Sequence, residues 1–364
     1  MKLADGDVEF DCLAILDELN QRPPEGGSVG ELAGRWNLLW NDLKHKARGL
    51  SLESRRRILS AALISQLPSD LRPSSGFGVL HGEPNIADPR READVVILCV
   101  LEEEFNAVLV AFGINQRKKL ETESIFGHRF YNLKTVRNRY FGRLNIWVGL
   151  IGEARNVVCA NFCRDVFEAF RIKHCCLLVG IAAGNRKKLK LGHVIAAQGV
   201  FDDAGGRAEP KKLIPRPRPY HLPPAWSEML KGFNPQRKGW LKGRNQALQR
   251  LKETGSRVPA SAEKLVPIFT TGIIVAGEQL RRDNPLPQLV ERYGDQIMAI
   301  EMEGSGFAAT CDRKDIRWLI FRGVSDYGDM KKRDTWQPMA ALHAGLAARS
   351  FVEHELRPTG DPQL

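Results

Sequence analysis

The chain has 364 residues, 43% of them hydrophobic, and a formal net charge of +11, enough for one large α/β domain beside a small one and too apolar for global disorder. No uninterrupted apolar stretch approaches the ~18 residues of a membrane span, and residues 1–20 carry acids where a signal peptide needs a basic start, so a soluble cytoplasmic protein with no membrane partner is expected. Seven scattered cysteines and eight dispersed histidines have no metal-ligand spacing, which predicts buried, reduced thiols, no metal and no cofactor.

In chain order, residues 8–19, 28–48 and 51–66 read as helices. Ser28 and Glu31 form a capping box, and Ser51, with Glu53 in its first turn, starts the third. Residues 1–67 therefore read as a small helical module for dimerisation or for a regulatory protein partner, with DNA binding through a helix-turn-helix-like stretch at 28–36 as the less favoured alternative. Residues 68–92 gather prolines and glycines and read as a linker. From residue 93 to 364, short apolar runs at 95–100, 144–150, 175–179, 194–197, 268–275, 297–300 and 318–321 alternate with amphipathic stretches at 156–170 and 337–356. That alternation predicts an α/β domain with a mixed, mostly parallel central sheet flanked by helices. An insertion at 205–260 holds thirteen cations against three acids, nearly the whole net charge; it either attracts a polyanion or is a solvated surface.

Two adjoining segments carry chemistry: Ala299-Ile-Glu-Met-Glu-Gly-Ser-Gly306 and Trp318-Leu-Ile-Phe-Arg-Gly-Val-Ser-Asp326. Each reads as a buried strand delivering polar groups at its carboxyl end, where sheets with helical faces bind ligands. An acid at each of two neighbouring strand ends, Glu303 and Asp326, suits a reaction in which one carboxylate holds a sugar and the other protonates a leaving group. Taken with the run at 95–100 followed by Leu101-Glu-Glu-Glu-Phe105, and with the glycine turn Val179-Gly-Ile-Ala-Ala-Gly184, these segments resemble the purine nucleoside phosphorylase and methylthioadenosine/adenosylhomocysteine nucleosidase superfamily over about residues 94–355. The stretches at 215–219 and 329–337 are most similar to nucleosidase-type effector domains of bacterial immune (anti-phage) proteins.

The resemblance implies a nucleoside phosphorylase-like fold and assigns roles. Asp326 is the acid that protonates the leaving purine, which requires lifting a carboxyl from ~3.9 by a few units; read without the family, it caps a turn. Glu303 binds the ribose hydroxyls and Met302 packs under the sugar. Glu301 either supports the site or pairs with a buried arginine such as Arg322. Glu104 orients and deprotonates the attacking water, or else compensates a helix dipole with its neighbours. The glycine turn at Gly180 continues as Ile181 and Ala182, without the arginine and serine with which phosphorylases hold phosphate, so water is the expected nucleophile. Gly180, Ala182, Arg322 and Ser325 complete the substrate contacts. Phe201 stacks on the base in place of an aromatic absent at Leu280, and Arg216 and Arg218, spaced by prolines, reach the phosphates. The expected activity is N-ribosyl hydrolysis of a purine nucleoside or nucleotide, best an adenine nucleotide such as ATP, releasing free base as a homo-oligomeric, nucleotide-depleting defence effector. The alternatives are a phosphate-dependent phosphorylase, a catalytically silent nucleotide sensor and a nucleic-acid-binding regulator.

Overall fold

A computed structural model describes residues 90–115, 120–203, 205–209, 212–235, 239–241, 243–278, 283–329 and 334–358. The helical module expected at 1–67 and most of the linker lie outside the described residues.

β1 (Arg91–Cys99) leads into α1 (Glu102–Ala111), and β2 (Glu123–Ile125), β3 (His128–Asn138) and β4 (Gly142–Leu150) form an antiparallel run beside it. α2 (Asn156–Ala169) returns the chain to β5 (Phe170–Gly184), followed by β6 (Val194–Asp202). The insertion supplies β7 (Gly206–Glu209), β8 (Lys212–Pro215), β9 (Arg218–His221), α3 (Pro224–Gly232), α4 (Arg244–Glu253) and α5 (Ala260–Glu263). β10 (Phe269–Ala276), α6 (Leu286–Tyr293), β11 (Ile297–Glu301), α7 (Gly304–Arg313), β12 (Trp318–Asp326) and α8 (Gln337–His354) follow.

The main sheet runs β11-β10-β6-β12-β5-β1-β4-β3-β2, with β9 beside β6. Its centre, β4-β1-β5-β12, is parallel, as continuous apolar runs covered on both faces require. Two helix pairs, α1 with α8 and α2 with α7, pack on these strands. β11 also pairs antiparallel with β5, so β5, β12, β6, β10 and β11 close into a ring. Around that ring, Ala183 of β5 has Ile300 of β11 opposite it on one side and Asp326 of β12 on the other. Three carboxyl ends distant in sequence thereby meet at one point.

The insertion packs as core as well as surface. α8 is buried along most of its length because α3 and α4 cover its outer side: Phe351 meets the Trp226 ring at 6.1 Å and the Phe233 ring at 5.6 Å. Trp226, Met229, Leu230, Leu248 and Leu251 are buried there, and their helical spacing is masked in the sequence by the cations between them. No helix among the described residues is long and apolar enough to cross a membrane. Cys99, Cys159, Cys163, Cys175, Cys176 and Cys311 are buried free thiols.

Candidate active site

The ring closure leaves a cavity of about 470 Å³ at these strand ends. Glu104 and Ala182 line it from one side, Glu301, Met302 and Glu303 from another, and Ser325 and Asp326 from a third.

Glu104 sits in the first turn of α1. Its Oε2 accepts the backbone N–H groups of Val100 (2.8 Å) and Leu101 (2.9 Å), and its Oε1 accepts that of Ile181 (2.8 Å). The same carboxyl thus caps its own helix and ties α1 to the end of β5. Glu102 and Glu103 are exposed in the same first turn, Glu102 pairing with Arg129, so dipole compensation describes those two. Burial raises the Glu104 carboxyl above its ordinary range, against the pull of Arg322 and the three backbone donors. A Cβ at Gly180 would lie 2.2 Å from Glu104 Oε1 and 2.5 Å from Arg322 Nη1, so only glycine lets β5 approach this pair.

Arg322 is the hub. Wholly buried, it donates from Nη2 to Glu301 Oε2 (2.5 Å) and Glu303 Oε2 (3.0 Å), and its Nη1 stands 3.8 Å from Glu104 Oε1. Three carboxyls against one guanidinium in a low dielectric cannot all stay charged. Burial pushes Glu303 up to about 8, with Arg322 opposing and Glu301 and Glu104 adding to the rise. Arg322 is held above its ordinary range, because the three carboxyls outweigh the cost of its burial. Glu301 further accepts the N–H groups of Glu303 (3.1 Å) and Gly304 (2.9 Å) at the start of α7, so it pairs with the buried arginine and positions the Glu303 backbone at once.

Asp326 ends β12. Its Oδ2 accepts the Ser325 hydroxyl (2.8 Å) and its Oδ1 accepts the Gly328 N–H (2.7 Å), so the carboxyl caps the following turn while facing the cavity.

Other expected residues lie elsewhere. Gly180 and Arg322 stand behind the lining. Phe201 packs edge-on against His221 (6.2 Å) and Tyr293 (5.8 Å) in a satellite apolar cluster and does not line the cavity. Arg216 and Arg218 are exposed and also outside the lining: β9 pairs with β6, which puts Arg218 opposite Asp202 and its guanidinium 5.2 Å from the Tyr220 ring. Leu280 lies outside the described residues.

The sequence reading overlooked the turn before α2. Arg155 lines the cavity with φ of 125°, and its N–H donates to Glu303 Oε1 (3.3 Å). Asn156 accepts the Ser305 and Gly306 N–H groups, each at 3.1 Å, and donates to Gly277 O (3.1 Å), locking α2 to the start of α7. A Cβ at Gly306 would fall 2.0 Å from the Asn156 carbonyl oxygen. The one available signal was the polar break Gly152-Glu-Ala-Arg-Asn156 between an apolar strand and an apolar helix, and it reads equally as an ordinary helix start.

A model of the phosphorylase superfamily matches residues 94–352. The ATP nucleosidase Cap17 of Escherichia coli (strain KTE188) is 28% identical over 266 residues, which are 71% of this chain and 51% of that protein. The chain thus spans about half the length of the curated relatives it matches. Among solved structures, futalosine hydrolase of Helicobacter pylori strain 26695 covers 72% of this chain and 97% of its own with a TM-score of 0.50 at 17% identity. The 5'-methylthioadenosine/S-adenosylhomocysteine nucleosidase of Helicobacter pylori does the same over 72% and 98%, also at a TM-score of 0.50 and 17% identity. At that identity the two structures speak for the fold.

Proposed function

The chain belongs to the phosphorylase superfamily, and on that premise we propose that its cavity hydrolyses the N-glycosidic bond of a purine nucleoside or nucleotide, an adenine nucleotide such as ATP being the preferred substrate. One observation carries the reading: Ala183 has Ile300, which leads into Glu301–Glu303, on one side and Asp326 on the other, with Glu104 lining the same cavity. Glu303 accepts the two ribose hydroxyls. Glu104 takes a proton from water as its oxygen bonds to C1′, a task for which burial, by raising the carboxyl above its ordinary range, makes it a stronger base. The C1′–N bond breaks, its electron pair passes to the base, and Asp326 delivers a proton to the base. The products are free purine and ribose or its phosphate. Support for ATP comes from the likeness to Cap17, an ATP nucleosidase, and support for water from the Ile181–Ala183 stretch, which presents no cation to the cavity. Buried free thiols favour the cytoplasm, where such turnover would deplete nucleotides.

The test is a panel of nucleosides and nucleotides incubated with and without phosphate, with released products identified. Free base with ribose or ribose 5-phosphate supports the proposal; ribose 1-phosphate would move the enzyme to phosphorolysis, and binding without turnover would make it a sensor. Glu104→Gln should lower turnover about 10²-fold or more, the contribution of a positioned base, and added phosphate should not restore it. Glu303→Ala should damage ribosides more than 2′-deoxyribosides.

A further inference from the structure

A nucleotide brings phosphate into a cavity whose charged lining, among the described residues, is Glu104, Glu153, Glu301, Glu303, Asp326 and Arg155. Five acids and one cation leave a phosphate a single charged partner of opposite sign in that lining. The Arg322 guanidinium is wholly buried behind the lining and engaged by three glutamates, so it is not offered to a ligand. Arg216 and Arg218, which the sequence nominates for this task, are outside the lining. Among the described residues Arg155 is the remaining cation of the lining, and its backbone is tied to Glu303, the proposed ribose clamp.

Resting on the proposed nucleotide reading, we infer that the Arg155 guanidinium receives the 5′-phosphoryl group of the substrate. Three features of the turn agree. Its backbone is held at φ 125°, a region that side chains other than glycine rarely adopt, by its N–H to Glu303 and by the Cys159 N–H on its carbonyl (3.0 Å). A long cation stands where glycine would fit without strain, and such outliers concentrate at ligand clamps. The residue is also the N-cap of the fourteen-residue α2, whose start has no side-chain cap and no acid in its first turn, so an anion there meets the positive end of a helix as well as a guanidinium. Finally, C5′ is bonded to the ribose ring that Glu303 would hold by its diol. C5′ is carried on C4′, next to the carbon that bears the 3′-hydroxyl, so a phosphate on C5′ comes within the reach of an arginine side chain whose backbone is anchored at Glu303. Free phosphate would suit the same guanidinium, and the experiment separates the two sources.

The measurement is kcat/KM for adenosine, AMP and ATP in the wild type, R155A, R155K, R155G and the double change R216A/R218A, together with equilibrium binding of AMP and adenosine by calorimetry. R155G suits the positive φ and guards against a folding defect. R155A and R155G should lower the AMP-to-adenosine ratio about tenfold to a hundredfold, the range for a charge-assisted phosphate contact, and R155K should recover part of it. The difference should narrow as salt rises. The inference is overturned if AMP and adenosine lose activity equally, which would make Arg155 a support for Glu303 alone, or if R216A/R218A moves the ratio and R155A does not. It is also overturned if inorganic phosphate accelerates base release from adenosine in an Arg155-dependent way, since the guanidinium would then serve a phosphate nucleophile. Arg155-dependent tighter binding of AMP than of adenosine without any base release would sink the hydrolase reading and leave this one standing. Equal base release from AMP and adenosine in every variant would do the reverse.

Discussion

The acidic cavity and the basic insertion are both densely charged, and they use charge in opposite ways. In the cavity three glutamates converge on one buried guanidinium, where low dielectric magnifies every interaction and raises Glu104 and Glu303 above the carboxylate range. In the insertion, four of the described cations bond to the fold itself. Arg244 donates to His343 Nε2 (3.0 Å), Ala262 O (2.8 Å) and Glu263 O (3.1 Å); Arg250 donates to Gly113 O (2.9 Å); and Lys231 and Lys252 pair with Glu228 and Glu263. Net charge alone would have put the chemistry in the insertion. Burial and convergence are the grounds for proposing it in the cavity, where a few shielded groups outweigh many hydrated ones.

The largest effect that could break this contrast is Asp326→Asn. The amide keeps shape but cannot deliver a proton, so base release should fall ~10²–10⁴-fold while ligand binding stays within a few-fold. Near wild-type turnover in a product assay would remove Asp326 from the acid role and leave it as the turn cap that its bond to the Gly328 N–H describes.

Arg322→Met comes next. Removing the hub leaves three buried carboxyls without their cation, a change that typically costs ~3–5 kcal/mol, read as a shift of the urea midpoint. A loss below about 1 kcal/mol, the size of a surface ion pair, would mean that water reaches the cluster.

Arg244→Met tests the insertion by the same measurement and should cost less, about 1–3 kcal/mol for a buried acceptor left unpaired. That acceptor is His343, whose pKa burial drives down to about 3 and whose Nδ1 hydrogen bonds to Gly192 O (2.7 Å), so the ring is neutral and its Nε2 accepts from Arg244. The Gly192 N–H in turn donates to Val324 O (2.7 Å), two residues before Asp326. If Arg244→Met costs as much as Arg322→Met, the two regions do not differ in kind. If it is also inactive at unchanged stability, the insertion acts on the acid strand through this chain of hydrogen bonds.

How much of this was legible follows from what each feature depends on. The strand ends were legible because apolar runs such as Trp318 to Phe321 stop abruptly at polar groups, and a stop is a local pattern. The ring closure was not, since the pairing of Ala299 with Gly184 joins segments more than a hundred residues apart and leaves no periodic mark. Arg322 was legible as a substrate contact or as an alternative partner for Glu301; that it gathers three glutamates depends on Gly180 admitting it beside Glu104. The helices of the insertion were hidden because their cations dominate the composition, and Arg155 because a positive φ at a non-glycine residue is imposed by tertiary contacts.

The smallest predicted effect is a pH dependence that separates the two regions without removing a group from either fold. Glu303 is raised to about 8 by burial, well above its unfolded value of ~4.3, so the folded protein binds the extra proton across that window. The sign follows: with this group folding is most favoured below the unfolded value, and the contribution is lost as pH rises from about 4 through 8. His343 moves the other way, since a ring with a folded pKa of about 3 and an unfolded value of ~6.5 favours folding above the unfolded value and loses that contribution as pH falls through the window. Between pH 6.5 and 8 the unfolded histidine goes from half protonated to neutral, a small contribution of opposite sign, so Glu303 should dominate and tilt stability downward. The melting temperature should therefore fall by a few degrees from pH 6.5 to 8, and Glu303→Gln, which cannot ionise, should flatten the slope. A slope that survives the substitution would assign the titration to another member of the cluster, with Glu104, also raised by burial, as the next to test.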